Sequence, residues 1–283
     1  MFAKKTKSFA FSLVELLAVI AIILLLMGIL MPALSAAKAQ GRQFACKSNI
    51  RQLLLANIGY SIENDGFYVP AASDLWVTLA LGQGGYYRWH GKRDRADEPF
   101  DPKKGPLAEY LADGKVKECP ERVKFTQDQS WSINFEQGCG GYGYNMQYLG
   151  SRLWQSGITT PAAWRDAYAK TTNTVEVRRP DMTLMFCDTA FCKSGQYLVE
   201  YSFAEPPYFV VNGKPDTSGK IFGFPLPSIH FRHRSLANIG WADGHIDARE
   251  MADFDIVNAY GVKSTNMMLG WFEPIDNSLF DLE

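Results

Sequence analysis

The stretch that most constrains this chain is Phe11–Met31, "FSLVELLAVIAIILLLMGILM", 21 residues in which Glu15 is the one charged side chain. As an α-helix it is about 31 Å long, close to the thickness of a bilayer's hydrocarbon core. A carboxylate at such depth costs about 2.5–3.5 kcal/mol on insertion scales, so it calls for a positive group at the same level. Lys4, Lys5 and Lys7 precede the span, while Lys38, Arg42, Lys47 and Arg51 follow it. Positive charge therefore flanks both sides and does not set the orientation. A secretory signal peptide stays open by spacing, because "ALSAAKA" (Ala33 to Ala39) offers small residues for cleavage. Neither that reading nor a plain anchor gives Glu15 a role.

The helical pattern runs on past Pro32. Cys46, Ile50, Leu53, Leu54 and Ile58 recur at three- and four-residue steps, one face of a helix. One helix is expected from about Phe11 to about Glu63, kinked near Pro32, apolar all round in its first half and amphipathic in its second. An Asp65-Gly66 turn ends it.

Beyond it, short aromatic and β-branched runs alternate with Gly, Pro, Asn and Asp clusters, the pattern of strands and loops. Residues 82–105 read as a long loop, and "PLAEYLADG" reads as a short helix opened by a proline and closed by a glycine. "TLMFCDTAF" (Thr183 to Phe191) is a strand candidate. In "ANIGWADGHIDA", Asp243-Gly244 gives the strongest hairpin signal of the chain. Residues 193–229, rich in Tyr, Phe and Pro, read as a long excursion. The fold class is α+β, a long N-terminal helix packed on a mainly antiparallel sheet with long loop insertions.

Twenty-nine basic and 30 acidic side chains leave a net charge of −1, which argues against a general nucleic-acid binder. "YYRWHGKRDR" mixes aromatics with bases as single-strand binders do, but acids follow closely and it is read as a solvated loop. No phosphate-binding loop, Gly-x-Ser-x-Gly elbow or His-Glu-x-x-His helix occurs, so no nucleophile can be named and no enzyme is expected. The five cysteines form no CxxC pair.

"Lys-x-x-Ser-Phe-Ala" followed by "Phe-Ser-Leu-Val-Glu-Leu-Leu" resembles the amino-terminal signature of type IV prepilins and pseudopilins. The resemblance implies that a prepilin peptidase cuts between Ala10 and Phe11 and methylates Phe11. It makes Glu15 the assembly acid, five positions into the mature chain, and places Pro32 where that family often has a kink. The family normally has Gly before the cut, where this chain has Ala10. A second resemblance lies near the carboxyl end. "RHRSLANIGWADGH" sets His233 nine intervening residues before Asp243-Gly244, similar to the His-x9-Asp-Gly pattern of a large group of prepilin-like proteins. "CPER" (Cys119 to Arg122) and "GYGYN" (Gly141 to Asn145) are similar to midchain segments of that group.

The organisation implied is a leader at 1–10, a transmembrane helix at 11–31, an amphipathic helix at 32–64 and an extracytoplasmic head at 65–283. The chain is then a structural subunit of a type II secretion or type IV pilus-like apparatus. It would sit in the bacterial inner membrane as a single pass, with a cytoplasmic amino terminus and a periplasmic head. Its partners are the peptidase, other pilin-like subunits, the membrane assembly platform and the bilayer, with no nucleic acid. The rival is a membrane-anchored binding protein, for carbohydrate, motivated by the aromatic excursion; an anchored hydrolase is a third reading.

An oxidised head is expected, with Cys119–Cys139 and Cys187–Cys192 the most economical disulfides. Cys46 is left on the helix as a small buried hydrophobe. An extended strand over 233–243 puts His233 and Asp243 about 33 Å apart, so Asp243-Gly244 is turn chemistry and His233 starts the strand. Proton transfer between them requires a bend at Ser235-Leu236. Zinc through His230, His233 and His245 suits a strand poorly, because His230 and His233 would face opposite sides. Calcium through Asp243 and Asp247 lacks a full loop of oxygen ligands and stays open only because some pseudopilin heads bind it. No cofactor is otherwise expected.

Overall fold

A computed structural model describes residues 13–76, 80, 85–95, 98–121, 123, 125, 136–193, 197–254, 256–258 and 261–283. The cleavage residues Ala10 and Phe11, and Arg122 of "CPER", lie outside them. The described residues form two compact units, divided after Gly41.

In the first unit the chain is the opening half of α1 (Leu13–Glu63). Leu, Ile, Val and Ala fill it, and its large side chains from Leu13 to Leu34 are exposed. The helix continues through Pro32, which has no N–H to offer the carbonyl of Gly28. In the second unit the same helix becomes one-sided. Cys46, Ile50, Leu53, Leu54, Ala56, Asn57 and Ser61 are buried, with exposed residues between them. This is the face read from the sequence. Asp65 and Gly66, both at positive φ, end the helix as expected.

Short hairpins surround a central sheet. β1 (Tyr87–Arg88) pairs with β2 (Gly91–Lys92) inside the segment read as a loop. β3 (Tyr142–Tyr144) and β4 (Leu184–Asp188) belong to the central sheet. The strand expected over Thr183–Phe191 is broken after Asp188. β5 (Phe191–Lys193) pairs instead with β6 (Tyr197–Val199). β7 (Val210–Val211) and β8 (Lys214–Pro215) form a hairpin within the excursion. β9 (Ile229–His230) precedes β10 (Leu236–Trp241) and β11 (Ile246–Glu250), and β12 (Leu269–Gly270) pairs with β9. The Asp243-Gly244 hairpin forms as read, with Gly244 at φ 92°.

The central sheet has the order β11-β10-β4-β3, antiparallel throughout. Gly240 lies opposite Phe186, and a Cβ on Gly240 would stand 2.6 Å from Ile50 and 2.8 Å from Leu54. Side chains directly opposite share a face, so Phe186 and its period-two neighbour Asp188 face the helix. Cys187 faces the other way.

Two local readings are corrected. "PLAEYLADG" holds only a 3-10 turn at Ala108–Tyr110, because Leu111 is already extended. An unexpected helix, α2 (Pro161–Ala169), begins at Thr160, whose hydroxyl accepts from the Ala163 amide, with Pro161 at the first helical position.

Candidate functional site

The first candidate feature is the apolar half of α1. An 18-residue window there has mean hydropathy 3.0 with no residue buried, long and apolar enough to cross a membrane. Glu15 sits in its first turn.

The second is a polar cluster inside the head, assembled from four separate segments. α1 supplies Cys46 and the segment before β3 supplies Cys119. The last residue of β4 is Asp188. His233 comes from the turn entering β10, where Arg234 and Ser235 both take positive φ and the His233 and Leu236 backbones bond reciprocally. The bend weighed at Ser235-Leu236 is therefore present one residue earlier. It brings His233 to Asp188, not to Asp243.

The cluster is tight. Cys46 Sγ donates to Asp188 Oδ1 at 3.2 Å. His233 Nε2 stands 3.4 Å from both Asp188 Oδ2 and Cys119 Sγ. The Asn238 amide holds Asp188 Oδ2 at 2.8 Å. Tyr142 donates to Cys46 Sγ at 3.5 Å and is itself held by Asn49. Arg232 spans the Gly141 and Thr189 carbonyls. Glu121, fixed by Arg42 at 3.0 Å, lies 3.9 Å from His233 Nδ1.

Charge is distributed unequally between the two thiols. The Cys46 thiol bonded to it, with His233 alongside, holds Cys119 down to about 5 against its own burial. Burial, reinforced by Cys119 and the Asp188 charge, pushes Cys46 far up. Burial opposes ionisation of His233, but the Asp188 and Cys119 bonds outweigh it and raise the imidazole to about 9. Burial likewise opposes the Asp188 charge, and His233 and Arg232 reverse that, leaving it below the usual carboxylate range. The result is a thiolate–imidazolium pair beside a buried carboxylate and guanidinium, a set able to ligate a soft ion or attack an electrophile.

Other sequence readings fare differently. All five cysteines are free thiols, so neither Cys119–Cys139 nor Cys187–Cys192 is a disulfide here. The Cys119 amide bonds the Gly140 carbonyl, yet its sulfur turns to Cys46 and His233. Cys187 lies in the main core and Cys192 in a separate small one with Ala190, Val262 and Leu269. Cys46 is buried as read, but it is a polar partner rather than a filler. His230, His233 and His245 do not converge. His245 is stacked on Trp241 and bonded to Asp243 Oδ1 at 2.7 Å, while Asp247 accepts from Trp241 and Arg249.

"YYRWHGKRDR" is not a solvated loop: Arg88, Trp89, His90 and Arg93 are buried. Arg88 Nε donates to both carboxylate oxygens of Glu136, at 2.9 and 3.0 Å, with His90 3.8 Å from the same carboxylate. Where the excursion crosses the head, Tyr208, Phe224, Phe254 and Trp271 line a cleft of about 320 Å³. Comparison with protein families, with curated proteins and with solved structures finds no match to this chain.

Proposed function

We propose that the chain is a prepilin-like subunit of a type II secretion or type IV pilus-like apparatus, an assembly protein rather than an enzyme. The observation that carries this reading is the division of labour along α1. Its first half exposes apolar side chains on every side, and its second half is part of the head's core. Such a helix suits an element that waits in a bilayer and then packs against copies of itself. Glu15 adds the register. A carboxylate in hydrocarbon is stabilised by a positive group at its depth, and the new amino terminus of a neighbouring Phe11 is such a group only after the leader has gone. The helix lies in the inner membrane with its leader cytoplasmic and its head outside.

The test is the chain produced with and without prepilin peptidase, followed by amino-terminal sequencing and crosslinking. The expected mature chain begins at methylated Phe11 and crosslinks as a ladder. Glu15→Ala is expected to be processed and membrane-bound but missing from the ladder. Sequencing that begins near Ala39, or a Glu15→Ala protein that assembles as the parent does, overturns the reading. The aromatic cleft favours a second reading, an anchored binding protein. Its mark is processing by the peptidase with no ladder, and retention on an immobilised oligosaccharide that Trp271→Ala abolishes.

A further inference from the structure

We propose that Cys46, Cys119, Asp188 and His233 bind one divalent zinc-type ion as a closed structural site of the head. Their four ligand atoms all lie within 4.8 Å of one another. Tetrahedral zinc with bonds of about 2.3 Å to sulfur and about 2.0–2.2 Å to nitrogen and oxygen keeps neighbouring ligands roughly 3.3–3.8 Å apart. The separations of 3.4 Å for Asp188–His233 and for Cys119–His233 are already at that spacing, and Cys46–Asp188 at 3.2 Å falls just short of it.

The imidazole is oriented as a ligand. Nε2 faces the three other donors, while Nδ1 is buried with no hydrogen bond and points toward Glu121 at 3.9 Å. A ligating histidine commonly sends its other N–H to a carboxylate in this way. Glu121 is in turn fixed by Arg42.

Charge also closes. Two thiolates and one carboxylate carry three negative charges, a divalent ion returns two, and Arg232, fully charged in any protein, returns the third. Binding releases the proton on the Cys46 sulfur and the one on His233 Nε2. Two sulfurs with an imidazole select zinc-type ions over calcium or magnesium. Four protein ligands leave no position for water, the signature of a structural rather than a catalytic site. The ion would join α1, the segment before β3, the end of β4 and the turn into β10.

The experiment uses the full chain in detergent, reduced, stripped with chelator and titrated with zinc chloride. One zinc per chain is expected, and cobalt(II) in its place should give the intense visible bands of a tetrahedral thiolate site. Cys119→Ser and His233→Gln should abolish stoichiometric binding, Glu121→Gln should weaken it roughly 10–100-fold, and Cys139→Ser should leave it unchanged. In the unmutated chain, zinc should protect Cys46 and Cys119 from alkylation, a readout that depends on no variant folding. The proposal is overturned if the stripped chain takes up no zinc or if Cys119→Ser binds as well as the parent. An octahedral cobalt spectrum, or a Cys46–Cys119 disulfide that accounts for alkylation resistance, overturns it equally.

Discussion

Replacing Gly240 by Ala tests how the helix is seated on the sheet. The added Cβ would meet Ile50 Cγ2 at 2.6 Å, Leu54 Cδ1 at 2.8 Å and Leu54 Cγ at 3.0 Å, all on buried side chains. Ordinary carbon contacts are about 3.5–4.0 Å, so helix or strand must yield by roughly an ångström. Gly240 is not among the positive-φ residues, so Ala fits its backbone and restricts the unfolded chain, a gain of about 0.4–1 kcal/mol. Overpacking a core costs about 1–3 kcal/mol, so the steric term wins and net destabilisation of about 1–2 kcal/mol is expected. Ile50→Ala alone should cost about 2–5 kcal/mol through its cavity. The double variant should cost less than the two added, because the new methyl enters space that Ile50 vacates. Denaturant unfolding followed by tryptophan fluorescence measures all three. A neutral or stabilising Gly240→Ala, or strict additivity with Ile50→Ala, would refute the close seating of α1 on β10.

Glu136→Ala should lose about 3–5 kcal/mol by leaving the buried Arg88 charge only its longer contact to Asp74 at 3.6 Å, and Arg88→Met with Glu136→Leu should lose less; thermal unfolding compares them. Asp281 is pushed up to about 6 by burial, with Glu283 and Asp276 adding to it. Its protonated form favours the folded state, so this contribution is complete below about pH 4 and is lost as pH rises through 6. Asp281→Asn should flatten that fall in denaturation midpoints measured from pH 4 to 7. Alkylation of the chelator-treated, denatured, unreduced chain should modify five cysteines, and a mass showing fewer would restore a disulfide reading.

Local chemistry was legible in the sequence where it acts within a few residues. The periodicity of Cys46, Ile50, Leu53 and Leu54 gives the buried face of α1, and Asp243-Gly244 gives the β10–β11 turn. The Thr160-Pro161 start of α2 carries an ordinary helix signal, a capping hydroxyl followed by a proline. A solvated reading of Arg88 and His90 misses their counter-charge, because Glu136 lies 48 positions beyond Arg88 in the sequence. The thiol cluster was hidden for the same reason: Cys46 and Asp188 are 142 positions apart, and Cys119 and His233 are 114. The bend that delivers His233 is made by Arg234 and Ser235, neither of which signals a left-handed turn as Gly or Asn does.

The order of synthesis gives α1 a kinetic consequence. The helix is made first, yet the strands that cover its inner face arrive only with residues 142–241. Until then Ile50, Leu53 and Leu54 have nothing from the sheet to pack on. Contacts of such sequence separation close slowly, since a long loop must be ordered before any of them forms. An emerging chain therefore carries an open apolar stripe through most of its elongation, the condition under which partly made proteins aggregate or recruit chaperones. Refolding of the head from denaturant should accordingly be slow, with helical signal preceding the burial of Trp241.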